Sequence, residues 1–173
     1  MQKTLTTSRL TLRPLALVDA NWMKSFWQAP EIHRNTATIP ASVDTDFCHE
    51  RIRQANDGEE AQTHATRLIE LNEERVGMIN ISRANTTDAY TLGYAIHPDF
   101  WAQGIATEAA DCFLKWADGF VLPRYYVSGH FADNPASGTV LRKIGFLPCW
   151  RGPVFSRSRN EKVDHIYMSR IAD

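Results

Sequence analysis

The sequence predicts an α+β, or mixed α/β, fold: a sheet that is antiparallel in its first part and parallel later, flanked by helices. Three observations predict it. Strand-like runs follow one another at 64–71, 75–83 and 89–96 with only short polar turns between them. From residue 104 the pattern changes to helix, strand, helix, strand. No internal repeat, low-complexity stretch or linker interrupts the chain, so its 173 residues are expected to form one domain, 1–173.

The elements follow in order. Residues 9–15, RLTLRPL, alternate polar and apolar as a half-buried strand does. Asp19 precedes ANWMKSFWQ, in which Trp22, Met23, Phe26 and Trp27 form an apolar helical face, and Pro30 follows it. Residues 30–43 are polar and mixed and read as a loop. TDFCHERIRQAND, 45–57, reads as a second helix closed by Gly58. The strands HATRLIEL, RVGMINISR and AYTLGYAI are separated by turns at 72–74 and 84–88. A helix is expected over 104–119, a strand at YYVSGHF (125–131), and a helix over 134–145 that ends on Gly145. FLPCW and VDHIYMSRI complete the chain as strands.

Composition narrows the function. Hydrophobic residues make up 43% and charged residues 23%, ordinary for a globular protein. A formal charge of −1, with basic and acidic residues interleaved, argues against nucleic acid as partner. Cys48, Cys112 and Cys149 are too scattered for a disulfide framework or a metal site, so no metal is expected and the setting reads as reduced and cytoplasmic. The first residues carry no signal-peptide pattern, and no run approaches the ~20 apolar residues of a membrane helix, so no membrane is expected as a partner.

The stretch FWAQGIATEAADCFLKW, 100–116, carries the chemistry. A helix N-terminus leaves about four backbone amides unpaired and is partially positive, so it receives oxygen-rich anions such as phosphates. Gly104 allows close approach to the backbone, Ala106 keeps the next turn narrow, and Thr107 offers a hydroxyl or caps its own helix. Glu108 suits the helix dipole and is awkward beside a phosphate. No Lys-Ser/Thr pair follows the glycine, which excludes a Walker A loop, and the spaced glycines of a dinucleotide fingerprint are absent.

From TSRLTLRPL through LGYAIHPDFWAQGIATEA to ADNPASGTVLRKIGF the chain resembles the GNAT N-acetyltransferases, more closely their RimJ/RimL-like branch. The resemblance runs from about Thr7 to Ile171 and rests on the order of the three motifs. It implies a largely antiparallel mixed sheet, splayed at an acetyl-CoA site, and acetyl transfer from acetyl-CoA to an amine-bearing acceptor. Gly104 and Ala106 match the last two positions of the family's Arg/Gln-x-x-Gly-x-Gly/Ala motif, with Trp101 where the Arg or Gln would stand. The resemblance gives the pyrophosphate to the amides of Gln103, Gly104, Ile105, Ala106 and Thr107. It gives the pantetheine arm to the exposed backbone around Ala95, Ile96 and His97, while the side chains of Tyr94 and Ile96 read as core.

Asn134 is a natural helix cap ahead of Pro135. The resemblance adds a hydrogen bond from Asn134 to the coenzyme, and places Ser137 near the thioester sulfur as proton donor to the departing thiolate. An attacking amine must be neutral, so a general base or a water chain is useful. Where the branch carries a glutamate after the IGF strand, this chain reads CWRGPVFSRSRN without a carboxylate. His97 and Asp164 are the leading base candidates, Glu70 the next, and a water relay with no single base is the other reading. Trp22, Trp27, His33 and Arg34 are candidates for the acceptor side. The acceptor is a protein N-terminus or a small-molecule amine, a homodimer stays open, and a non-catalytic acyl-CoA-binding module is the rival from another class.

Overall fold

In a computed structural model, which describes residues 4–84 and 88–172, eight strands form one sheet in the order β1-β2-β3-β4-β5-β6-β8-β7. In chain order these are β1 (Leu5–Thr6), β2 (Leu10–Arg13), β3 (His64–Leu71), β4 (Glu74–Arg83), β5 (Ala89–Ile96), β6 (Tyr125–Phe131), β7 (Leu147–Ser156) and β8 (Glu161–Ile171). The helices are α1 (Ala20–Gln28), α2 (Pro30–His33), α3 (Thr45–Glu60), α4 (Ile105–Val121) and α5 (Pro135–Lys143). All neighbours pair antiparallel except β5 and β6, so the parallel part expected of the later chain is this one pairing. The turn expected at 84–88 falls largely on residues outside those described.

Each face of the sheet carries its own core, as period-two strands require. On one face Leu92, Tyr90 and Ile96 of β5 pack with Ile105, Ala109, Phe113 and Leu114 of α4. On the other, Leu68 and Met78 pack with Met23, Phe26 and Trp27 of α1 and Cys48 and Ile52 of α3, with Ala95 against them. Trp22 stacks on Phe26 and Trp27 meets Phe47 edge-on, so both serve this core.

Three local differences from the sequence expectations have physical causes. The 30–43 segment contains a one-turn helix, α2, started by Pro30 at its first position. α3 runs on through Gly58 to Glu60, because α3 crosses the start of β3 and a Cβ at Gly58 would lie 2.6 Å from the Cβ of His64. The expected strand FLPCW extends to Ser156, where β7 turns into β8 as a long hairpin.

That hairpin reaches across the molecule. Its turn docks on the 33–38 segment through Ser158 Oγ donating to His33 O at 2.7 Å, Arg157 N to Ala37 O at 3.0 Å and Arg159 Nε to Arg34 O at 2.9 Å. Arg159 also bonds Asp133 at 2.7 Å and lies over the Phe131 ring, which ties the turn to the end of β6.

Candidate functional site

The parallel pairing of β5 with β6 covers only 89–91 against 125–127. Beyond Thr91 the two strands part, and Ser128 Oγ donates to Leu92 O at 2.9 Å at the apex of the gap. β5 stays paired with β4 to its end, and His97 N donates to Val76 O at 2.8 Å. An antiparallel ladder alternates, so residues 91, 93, 95 and 97 spend their backbone groups on β4 while 92, 94 and 96 turn theirs to the gap. The groups facing the gap are therefore those of Tyr94 and Ile96. Ala95 and His97, expected at this position, bond to β4 through their backbones instead.

α4 begins at the mouth of the gap. A short 3-10 turn over Pro98–Phe100 leads to Trp101, whose indole Nε1 donates to Ile96 O at 2.7 Å and holds the loop over the strand end. Ala102 and Gly104 take left-handed backbone angles, φ 59° and 76°. Gly104 is the N-cap and makes no side-chain cap. The first hydrogen bond of the helix runs from Glu108 N to Gly104 O at 3.0 Å. The amides of Ile105, Ala106 and Thr107 thus have no partner among the described residues. A Cβ on Gly104 would meet only Arg9 Nη2, at 3.7 Å, so the approach to these amides is open. Thr107 at the third helical position caps nothing, and its hydroxyl points at no described partner.

Arg9 is a site residue that sequence reasoning missed. Its Nε lies 2.7 Å and its Nη2 2.6 Å from Glu108 Oε2, and Nη2 also donates to Gln103 O at 3.1 Å. Thr7 Oγ1 donates to the other carboxylate oxygen of Glu108. Partial burial pulls the Glu108 pKa upward, but the hydrogen bonds of Thr7 and Arg9 outweigh it and hold the carboxyl below its usual range. The carboxylate that looked awkward beside an anion is thereby neutralised, and a guanidinium is held at the loop.

Asn134 caps α5 by accepting from Ser137 N at 3.3 Å. Across the gap, the Tyr94 hydroxyl lies 2.8 Å from Ser137 Oγ and donates to Ser137 O at 2.9 Å. Burial pushes the Tyr94 phenol up to about 12, although Ser137 works in the opposite sense, so it remains a proton donor at neutral pH.

The candidate bases are differently placed. Asp164 lies in the fork of Arg151, with Nε at 3.0 Å, and this hydrogen bond holds its carboxyl below the usual range. A carboxylate so occupied is a weak proton acceptor. His97 turns Nδ1 toward its own loop, accepting from Asp99 N at 3.4 Å, with its ring against Phe26 and Phe100. Glu70 is paired with Arg13 at 2.9 Å on β3, two strands from the gap.

An extended backbone edge, a bare helix N-terminus with a nearby guanidinium, and a half-buried hydroxyl pair thus meet at one gap. They suit a long ligand with an anionic segment and a polar arm.

Residues 9–147 match the family model described as the acetyltransferase (GNAT) domain. A curated relative, an uncharacterised N-acetyltransferase p20 of Bacillus licheniformis, is 28% identical over 117 residues, 66% of this chain. The chain spans 65% of that relative's length. Among solved structures, RimL, the ribosomal L7/L12 α-N-protein acetyltransferase in complex with coenzyme A, superposes with a TM-score of 0.87 at 16% identity, covering 98% of each chain. The microcin C7 self-immunity acetyltransferase MccE, in complex with acetyl-CoA and AMP, gives 0.82 at 15% identity over 95% of this chain and 93% of its own. A ribosomal-protein-S5-alanine acetyltransferase of Vibrio fischeri gives 0.84 at 15% identity over 99% and 98%. At these identities the structural likeness speaks for the fold.

Proposed function

The chain belongs to the GNAT acetyltransferase family, and from that premise we propose that it transfers the acetyl group of acetyl-CoA to a primary amine, its residues 1–173 acting as one domain. The observation that carries the reading is the parting of β5 from β6 beyond Thr91, with the unpaired N-terminus of α4 at its mouth.

Each part of the gap has a role in this reading. The amides of Ile105, Ala106 and Thr107, with the loop residues Gln103 and Gly104 that shape their approach, receive the pyrophosphate. Arg9 adds a charge-assisted contact. The gap-facing backbone of Tyr94 and the N–H of Ile96 pair with the pantetheine arm as an added strand would. Asn134 orders the start of α5, and Ser137 offers its hydroxyl to the departing sulfur. The acetyl donor supplies an activated acyl carbon; the protein orders it and keeps water out.

A protein N-terminal amine is the favoured acceptor. The support is a likeness that spans nearly the full length of a ribosomal L7/L12 α-N-protein acetyltransferase and of a ribosomal-protein-S5-alanine acetyltransferase. The test has two stages. Calorimetry with coenzyme A should show one site per chain. Thiol release from acetyl-CoA should then depend on added amine, across Ser- and Ala-terminated peptides and small primary amines. Coenzyme binding without any amine-dependent release identifies a non-catalytic acyl-CoA-binding module instead.

A further inference from the structure

The gap has a second face. Thr91 pairs with Val127, so strand alternation puts Gly93 and Ala95 of β5 on one face with Val127, Gly129 and Phe131 of β6. This is the face on which α1 and α3 pack, since Ala95 joins their cluster. β8 pairs Gly129 with Tyr167 and Phe131 with His165, which brings both side chains to the same face. Tyr94 projects to the opposite face, where α4 packs and where it meets Ser137. Asp164, one residue from His165, also projects to that opposite face.

His165 is held in an unusual way. Its ring leans over Gly129, where a Cβ would collide with Cε1 and lie 2.9 Å from Nε2. Phe131 and Tyr167 pack edge-on against it, with ring centroids at 5.9 and 4.4 Å. Its Nδ1 is buried and has no hydrogen-bond partner among the described residues. An unsatisfied buried polar atom costs about 1–3 kcal/mol, which an N–H from a bound molecule would relieve. Burial, and then the nearby His130, keep the imidazole pKa below its ordinary value, so the ring is a neutral proton acceptor at pH 7.

We propose that His165 takes the proton of the acceptor amine, from the face of the sheet opposite to Ser137. The proposal rests on the acetyl-transfer reading and supplies the base that reading lacks. The amine nitrogen bonds to the acyl carbon and the carbon–sulfur bond breaks. One amine proton passes to the His165 imidazole and on to solvent. The sulfur is protonated through the Ser137 hydroxyl, which solvent recharges, so the products are an amide and a free thiol. Base and acid on opposite faces match an amine arriving from one side while the thiolate departs on the other. The groups facing or flanking the imidazole are His130 of β6, Tyr167 and Asp164 of β8, Arg151 of β7 in its pair with Asp164, and Arg159 of the hairpin turn over Phe131.

The test uses the full chain with acetyl-CoA and two amines: a peptide with a free N-terminal serine, and hydroxylamine, which is largely unprotonated at pH 7. His165→Ala and His165→Gln are compared with wild type, with folding checked by thermal melts. With the peptide, kcat falls on the order of a hundredfold while the KM for acetyl-CoA stays within about twofold. Hydroxylamine turnover falls much less, added imidazole restores part of the His165→Ala rate, and the acid-side break in the wild-type pH–rate profile disappears. Wild-type kcat in both variants, or equal losses with both amines and no rescue by imidazole, overturns the role of His165 alone. Wild-type protein that binds coenzyme A but releases no thiol with either amine overturns the acetyl-transfer reading, and this proposal with it.

Discussion

Tyr94 on β5 and Ser137 on α5 meet across the open end of the sheet, hydroxyl to hydroxyl at 2.8 Å. Because the Tyr94 phenol stays protonated and also reaches Ser137 O, the pair fixes the orientation of the hydroxyl that the proposed reaction uses to protonate the leaving sulfur. Tyr94→Phe is expected to lower kcat about tenfold, the worth of one hydrogen bond, and to keep coenzyme affinity within about twofold. Ser137→Ala should show the same split with a larger loss of kcat. Steady-state kinetics beside calorimetry checks both, and unchanged kcat removes the pair from the chemistry.

Arg9 neutralises Glu108 at the start of α4. Arg9→Ala therefore removes a cation and frees an anion in one step, and coenzyme affinity should fall by roughly tenfold, more steeply as salt is lowered. Glu108→Gln in the Arg9→Ala background should recover part of the loss. Calorimetry at two ionic strengths reads both effects.

Gly104→Asp places a side chain and a negative charge in front of the open amides. It should abolish coenzyme binding. The left-handed φ of 76° adds a strain of about 1 kcal/mol, too little to unfold the domain. Gly104→Ala, whose Cβ enters open space, should share the strain and lose much less affinity. Calorimetry and melting curves separate the two effects.

Stability depends on a buried ion pair away from the site. Arg67 is fully buried, bonds Glu59 at 2.7 and 2.9 Å, and lies over the Trp116 ring at 4.5 Å. Glu59→Ala leaves that guanidinium uncompensated and should cost about 3 kcal/mol. The double variant Glu59→Gln with Arg67→Met should recover most of it. Denaturant unfolding gives the comparison.

His64 and His165 both have folded-state pKa values below the ordinary value, each first because of burial. The unfolded chain therefore binds protons first, and stability rises with pH across the window. The full benefit is present above about pH 6.5 and is lost as the pH falls from there toward the folded values. Unfolding at pH 7.5 and 5.5 should show the wild type weakened at the lower pH. His64→Gln and His165→Gln should each flatten that dependence.

The local structure of the proposed coenzyme half, an uncapped helix start and a helix cap, was legible in the sequence because it is local. Gly104, Ala106 and Thr107 follow β5 after one short loop, and a glycine before a periodic apolar run announces an uncapped helix start. Asn134, Pro135 and Ser137 form a cap pattern within four residues. What could not be read were relations between distant segments. Arg9 and Glu108 stand 99 positions apart. Asp164 was read as a base candidate and its neighbour His165 was not considered; strand alternation sends the two side chains to opposite faces. The alternation of VDHIYMS marked His165 and Tyr167 as sharing a face, but not which face opens on the gap.

The sequence by itself determined most of the strands, the helices α1, α3, α4 and α5, and the bare start of α4, since periodicity, capping and turn chemistry act over a few residues. It also carried the family, through three motifs in order. The tertiary structure alone decided which backbone groups of β5 face the gap, that Arg9 cancels Glu108, that Tyr94 holds Ser137, and that the half-buried His165 leans over Gly129 with its Nδ1 unpartnered among the described residues. Those depend on register and on packing between segments far apart in the chain, which the identity of neighbouring residues does not encode.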